Sequence, residues 1–487
     1  VVIASEMFDL RPVLFILGMV LTHFGAAMLL PAIVDAAVGN PDWQVFAASG
    51  AVTVFTGGLL LLGNRGAVEL GLRQAFILTT ACWVTLSFFG ALPLMLSALP
   101  IGFTDAFFES MSGLTTTGST VLVGLDQLPP GILLWRALLQ WIGGIGIIVM
   151  GIAILPFLRV GGMQLFRAES SDRSDKPLPR LRQVAGTITA AYDLLTLACA
   201  FLYALAGMSA FEAVTHAMTT LSTGGYSTSD GSIGHFDSPP IDWIAVAFML
   251  AGSIPFVLYV RMFHNEPMAI LRNSQVRALL VFLAGLIAAF TLWLWAVQPV
   301  SLADALRLVT FNVVSIVTTT GYATTDYSLW GSTAVIIFLA LTVVGGCTGS
   351  TAGGIKIMRF EVMILTARAQ AQRLIHPHQV AALTYNQAPL TSDVQISVAV
   401  FSTLFFVSIA VGTVALDALG LDFMTSLSAA ATAVANVGPG LGGMVGPAGN
   451  FAGLPDAAKW LLALGMLVGR LELFTVLILL SPGFWRV

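Results

Sequence analysis

Long apolar runs, each close to bilayer length, alternate along this chain with short polar loops. A spanning helix needs about 20 mostly apolar residues. Ten such runs are predicted, at 12–34, 43–63, 74–98, 131–157, 184–207, 241–261, 278–298, 331–365, 394–416 and 457–481. Lys and Arg mark the cytoplasmic side of short loops. Sixteen of the 21 fall on one side of this arrangement, among them Arg11, Arg65, Arg73, Arg261, Arg272, Arg277 and Arg486. Arg136, Arg307 and Lys459 fall opposite, and Lys356 and Arg470 lie within spans. Both termini are therefore expected in the cytoplasm. The basic segment 159–182 reads equally as a topology signal or as a docking site for a cytoplasmic partner.

Composition agrees with the pattern. The 487 residues are 57% hydrophobic and 9% charged, with mean hydropathy +0.90. A soluble chain carries about 25% charge, so the lipid bilayer is the expected solvent. The net charge of −4 suggests no nucleic-acid partner. Cys82, Cys199 and Cys347 are scattered in apolar or Gly-rich stretches and form no disulfide framework. His376 and His378 bracket Pro377 in what reads as a cytoplasmic turn. No signal-peptide cleavage site is evident, and the first apolar run is long enough to stay in the membrane.

Four short segments repeat between spans, all on the outer side: LTTTGST (114–120), LSTGGYS (221–227), VTTTGYA (317–323) and VANVGPG (434–440). Their alignable glycines, Gly118, Gly225, Gly321 and Gly438, are separated by 107, 96 and 117 residues. Upstream of each glycine lies a short amphipathic stretch opened by an acid: Asp105, Glu212, Asp304 and Asp422. Acids favour the positive end of a helix dipole. The unit is read as span, short re-entrant helix, extended glycine loop, span. The expected fold is an all-α polytopic membrane protein, with four such repeats around a central pore and two extra N-terminal helices. The boundaries are 1–70 for the extra helices, then 71–183, 184–277, 278–390 and 391–487 for the repeats.

Irregular backbone at membrane depth is tolerated where it lines a water-filled path. A ring of carbonyls can replace the hydration shell of a cation. Glycine supplies the positive φ that turns carbonyls inward, and the negative end of each short helix favours a cation. Candidate filter residues are Thr116, Thr117 and Gly118; Thr223, Gly224 and Gly225; Thr319, Thr320 and Gly321; and Asn436, Val437 and Gly438.

These loops resemble those of the Trk/Ktr/HKT superfamily of potassium transporters. The stretches 141–170 (WIGGIGIIVMGIAILPFLRVGGMQLFRAES), 345–360 (GGCTGSTAGGIKIMRF) and 469–486 (GRLELFTVLILLSPGFWR) resemble its TrkH/TrkG branch, as do the two extra N-terminal spans. The resemblance implies gated, channel-like uptake of potassium, the transported ion, across the bacterial inner membrane. It implies a homodimer and a cytosolic TrkA-type subunit that binds NAD or adenine nucleotides. No segment of this chain resembles a nucleotide site. Gly at position 118, where some members carry Ser, implies preference for potassium over sodium. The fourth loop departs from the Thr-rich pattern, so the ring is expected to be only approximately fourfold.

The segment 331–365 is too long for one straight span. Its centre holds Gly345, Gly346, Gly349, Ser350, Thr351, Gly353 and Gly354, followed by Lys356. Such a glycine run cannot be a stable helix. It reads as a connector between two shorter helices or, as the resemblance implies, as a gate below the filter. Arg470 is expected mid-span, where an Arg costs about 2.5–3.5 kcal/mol to insert. It reads as a partner of Glu472 or another buried acid, or as a pore barrier that repels cations and holds the gate loop. An ion-coupled symporter of the same superfamily remains an alternative. An intramembrane enzyme does not fit, because His23 and His216 lack a nucleophile or metal-ligand set around them.

Overall fold

Apolar length and glycine spacing dictate the first three helices, α1 (Arg11–Ala27), α2 (Leu29–Ala37) and α3 (Trp43–Gly63). The helices α1 and α3 cross at small residues. A Cβ on Gly18 would stand 2.7 Å from the Gly57 carbonyl oxygen, so the backbones touch as small-residue membrane interfaces allow. The computed structural model describes residues 9–66, 70–153, 177–263, 266–376, 383–386 and 388–485. The basic segment at 159–176 and His378 lie outside them.

The chain continues with α4 (Leu72–Leu96), α5 (Phe103–Leu114), α6 (Pro130–Ala153), α7 (Pro177–Leu205), α8 (Ala210–Leu221), α9 (Pro239–Ser253) and α10 (Phe256–Phe263). Then come α11 (Ala269–Arg272), α12 (Ser274–Val297), α13 (Leu302–Val317), α14 (Ser332–Thr342) and α15 (Ile357–Ile375). The last are α16 (Ser392–Ala418), α17 (Phe423–Ala435), α18 (Asp456–Arg470), α19 (Phe474–Leu477) and α20 (Pro482–Trp485). Among the described residues the strand pairing in this all-α fold is one hairpin, Thr384–Tyr385 with Ala388–Pro389, and an isolated bridge. Among the described residues, seven helical stretches are long and apolar enough to cross a bilayer, and two bent pairs raise the number to nine.

Three expected spans are interrupted, each for a local reason. The α9–α10 pair bends by 93°. Ile254 is extended there (φ −90, ψ 146), as a residue before proline tends to be. The stretch from α18 to Leu480 bends by 108°. Its hinge holds Glu472 and Leu473 at φ 61 and 48, a conformation that costs side-chain-bearing residues about 1–3 kcal/mol. Arg470 therefore ends a helix and is not mid-span. The predicted span 331–365 is two helices, α14 and α15, joined by the glycine-rich stretch.

Four short helices, α5, α8, α13 and α17, run 12, 12, 16 and 13 residues. At 1.5 Å per residue none crosses the roughly 30 Å hydrocarbon layer. Three of the four starts are capped by side chains, while α5 starts at Gly102 without one and carries Asp105 in its first turn. Ser209 and Glu212 form a capping box, Ser301 accepts from the Asp304 amide, and Asp422 accepts from the Thr425 amide. Their C-terminal halves are buried, so the core is built around these four helix ends.

Candidate functional site

Each short helix ends in the same backbone device. In the first copy the Thr116 amide donates to Gly113 O at 3.0 Å and the Thr117 amide to Ser112 O at 2.9 Å. The same pair of bonds recurs at Thr223 and Gly224, at Thr319 and Thr320, and at Asn436 and Val437. This is a Schellman termination, whose turning residue must be left-handed and is usually Gly. Here it is Thr116 (φ 53), Thr223 (φ 50), Thr319 (φ 58) and Asn436 (φ 55). Threonine is β-branched and costly there. Asn tolerates the conformation better, so the fourth loop keeps the backbone shape while departing in sequence.

Two residues on, the four glycines take positive φ again: Gly118 at 90, Gly225 at 76, Gly321 at 79 and Gly438 at 113. The space where each would carry a side chain is filled by a carbonyl of the next loop. A Cβ on Gly118 would lie 2.2 Å from Gly224 O, on Gly225 1.9 Å from Thr320 O, and on Gly321 2.0 Å from Val437 O. On Gly438 it would lie 2.8 Å from Thr117 O. The order runs first to second, second to third, third to fourth and fourth back to first. It closes a ring of four loops, and all four glycines line one cavity of about 270 Å³. At the cavity rim a side-chain hydrogen bond from Ser229 holds the Asp126 carboxyl below its usual range.

The ring is braced unequally. Thr115 and Thr117 share a hydroxyl hydrogen bond of 2.8 Å, and Thr318 and Thr320 repeat it. The second copy has Gly224 where those copies have Thr. There Gln140 fills the space, donating to Gly224 O at 2.6 Å and accepting from the Tyr226 amide at 3.0 Å. In the fourth copy Asn436 Nδ2 donates to Thr117 Oγ1 and to Met466 O, both at 2.9 Å. Thr116 Oγ1 and Asn436 Oδ1 are buried oxygens with no hydrogen-bond partner among the described residues. Oxygens of that kind suit a hard cation.

Above the ring, the buried Glu109–Arg136 pair (2.8 Å) lies within the first copy and is joined to the second through Ser227 and Tyr226. Glu109 accepts from Thr120 and the Val121 amide, and Arg136 donates to Ser227 O and lies over the Tyr226 ring. Lys459 pairs with Asp105 across copies four and one, and Arg307 with Asp242 across copies three and two. The three basic residues that broke the charge asymmetry are thus ion-paired.

The interrupted segment 343–356 sits against the ring. The Gly354 amide donates to Ala435 O at 2.8 Å, and the Gly353 amide to Thr319 Oγ1 at 2.6 Å. Thr351 Oγ1 hydrogen-bonds Thr223 at 3.1 Å and donates to Leu221 O at 3.0 Å. Gly345 meets Gly353 and Gly354 backbone, and Gly346 abuts Ser253, so neither position has room for a side chain. Gly349 accepts from the Phe256 amide, and Ser350 donates to Cys347 O. Lys356 donates to Ala352 O within the segment. Arg470 Nη1 donates to Thr351 O at 2.8 Å, while its Nε and Nη2 have no partner among the described residues. Glu472 pairs with Arg359, not with Arg470. Lys356, Arg470 and Glu472 line a small cavity beside this segment.

The structure thus brings together every sequence-predicted filter residue and places the glycine segment and Arg470 beside them. Sequence reasoning missed Gln140, Glu109, Arg359 and the left-handed threonines. Glu109 carried a usable signal, since an ionisable residue in an apolar segment marks a functional or paired position.

Comparison with known proteins gives the same architecture. The family profile described as "TrkH: Cation transport protein" matches residues 42–486. The Trk system potassium uptake protein TrkI of Halomonas elongata is 52% identical over 476 residues, 97% of this chain and 96% of that protein. The Trk system potassium uptake protein TrkH of Escherichia coli K12 is 37% identical over 98% of this chain and 99% of its own length. The crystal structure of the potassium transporter TrkH from Vibrio parahaemolyticus superposes with a TM-score of 0.92 at 37% identity, covering 98% of this chain and 100% of that one. With its four short helices meeting at a loop ring and a family profile matched over most of its length, this multi-pass membrane chain belongs to the TrkH family of cation transport proteins.

Proposed function

We propose that this protein takes up potassium across the bacterial inner membrane through a gated, channel-like pore. The observation that carries the reading is the closed ring, in which each loop's glycine receives the next loop's carbonyl. The relatives named as potassium uptake proteins supply the ion. Thr116 to Gly118, Thr223 to Gly225, Thr319 to Gly321 and Asn436 to Gly438 form the selectivity filter. Carbonyls of positive-φ loops replace the ion's hydration shell, and four helix C-termini add negative potential. Unequal bracing makes the ring only approximately fourfold, so sodium is disfavoured but not excluded.

Gly345 to Lys356 act as the gate. The segment hydrogen-bonds the filter loops directly, so its displacement opens the path below them. Arg470 fastens the gate through Thr351 and presents positive charge to the ion. Among the described residues, Lys356, Arg359 and Arg470 gather around one acid, Glu472, so the region below the ring repels cations until the segment moves. The basic side of the chain is cytoplasmic, with both termini there. The protein works as a homodimer, regulated by a cytosolic TrkA-type nucleotide-binding subunit.

Complementation tests this. Expression with a compatible TrkA-type partner restores growth of a potassium-uptake-deficient bacterium in low-potassium medium. Absence of growth despite confirmed membrane insertion would count against the proposal. Growth that requires sodium or a proton gradient would favour the ion-coupled alternative.

A further inference from the structure

On the basic side of the molecule, away from the ring, lies a cleft of about 620 Å³ between α10, α11, α12, α15 and the Thr384–Tyr385 strand. Three arginines line it, Arg261, Arg272 and Arg277. Arg261 is paired with Glu266 at 2.5 Å, and Glu361 accepts from Tyr385 at 2.9 Å. Arg272 and Arg277 are exposed and make no ion pair or hydrogen bond through their guanidinium groups to a described residue. The first turn of α12 also faces the cleft through Asn273 and Ser274; Asn273 Oδ1 caps the Gln275 and Val276 amides at 3.1 and 3.4 Å, so this 24-residue helix offers the cleft its positive dipole end and not free amides. Two uncommitted guanidinium groups beside a helix start form a site for a phosphate-bearing anion. Phe263, Met268 and Leu271, on the same turns as the arginines, are exposed and apolar. That mixture suits the headgroup level of a membrane.

The walls of this cleft also hold the glycine segment. Phe256, beside the wall residues Pro255 and Val257, donates its amide to Gly349 O at 3.0 Å. Gln275, next to Ser274, accepts from the Thr348 amide at 2.9 Å. The helix α15, which brings Glu361 and Leu365 to the cleft, starts where the segment ends.

We infer that the cleft binds a phosphate-bearing anion, either a phospholipid headgroup or a soluble phosphate, and that binding steadies the segment 343–356. The regulatory meaning rests on the gate assigned to that segment above; the binding does not.

The test uses the full-length protein and an Arg272→Gln/Arg277→Gln double variant, both positions being exposed. An Arg277→Lys variant keeps the charge and should retain most of the binding. One arm exposes detergent-purified protein to phosphatidylcholine vesicles with or without phosphatidylglycerol and weighs the retained lipid by native mass spectrometry. The other titrates inorganic pyrophosphate. The wild type should retain one of the probes, and the double variant should bind it roughly tenfold or more weakly. Retention of phosphatidylglycerol alone identifies a headgroup site, and of pyrophosphate alone a soluble-phosphate site. Bound probe should slow amide hydrogen exchange over 345–355 in the wild type only. Equal retention by wild type and double variant, or no retention of either probe, would overturn the site. Binding with unchanged exchange would overturn the coupling. A wrong gate assignment shows separately, as unaltered ion flux when 345–354 is shortened while phosphate binding persists.

Discussion

Gly118→Ser tests the ring at a glycine whose facing carbonyl is itself held by a side chain. A Cβ there would stand 2.2 Å from Gly224 O, where carbon contacts settle near 3.5 Å. The carbonyl must therefore retreat by more than ~1 Å. It cannot do so freely, because Gln140 holds it at 2.6 Å and losing that bond costs about 1 kcal/mol. Serine at φ 90 adds about 1–2 kcal/mol of backbone strain. A distortion of only about 1.4 kcal/mol in ion preference is a tenfold change. The ratio of rubidium to sodium uptake into proteoliposomes should fall by roughly tenfold or more, mainly by a gain in sodium. Gly285→Ser, at a helix position with open space around it, should leave the ratio unchanged. An unaltered ratio in Gly118→Ser at wild-type flux would refute the ring as the filter.

Other consequences are equally direct. Arg470→Ala removes the bond to Thr351 O and a positive charge, so resting rubidium flux should rise with selectivity preserved; a fall in flux would contradict the barrier role. Shortening 345–354 should leave the pore leaky without its regulator, measured as partner-independent rubidium flux. Glu109→Gln strands the buried Arg136, and breaking such a pair costs about 3–5 kcal/mol; the melting temperature in detergent should drop, and an unchanged value would show the pair to be dispensable.

What the sequence made legible follows from what backbone geometry demands. Positive φ beside a packed carbonyl admits only glycine, so Gly118, Gly225, Gly321 and Gly438 stood out as a repeat. The same left-handed geometry at Thr116, Thr223 and Thr319 was invisible, because threonine is the wrong residue for it; tertiary hydrogen bonds tie Thr223 to Thr351 and Thr319 to the Gly353 amide. The bend after Arg470 was hidden for a similar reason. The stretch LELFTVLILL is apolar and helix-forming, while the left-handed hinge is closed by the Leu473 amide on Val468 O and anchored by the distant Arg359, which pairs with Glu472. Long-range partners such as Gln140 to Gly224 leave no local trace. The interrupted span at 345–354 was readable, since five glycines in ten residues cannot sustain a helix.

The most direct test is where the ion sits. Crystals grown in rubidium, measured at its absorption edge, should show an anomalous peak on the axis of the ring, within coordinating distance of the Thr117, Gly224, Thr320 and Val437 carbonyls. Replacing rubidium with sodium should remove that peak. A ring without a peak, with rubidium ordered at another site in the membrane region, would contradict the four-loop filter.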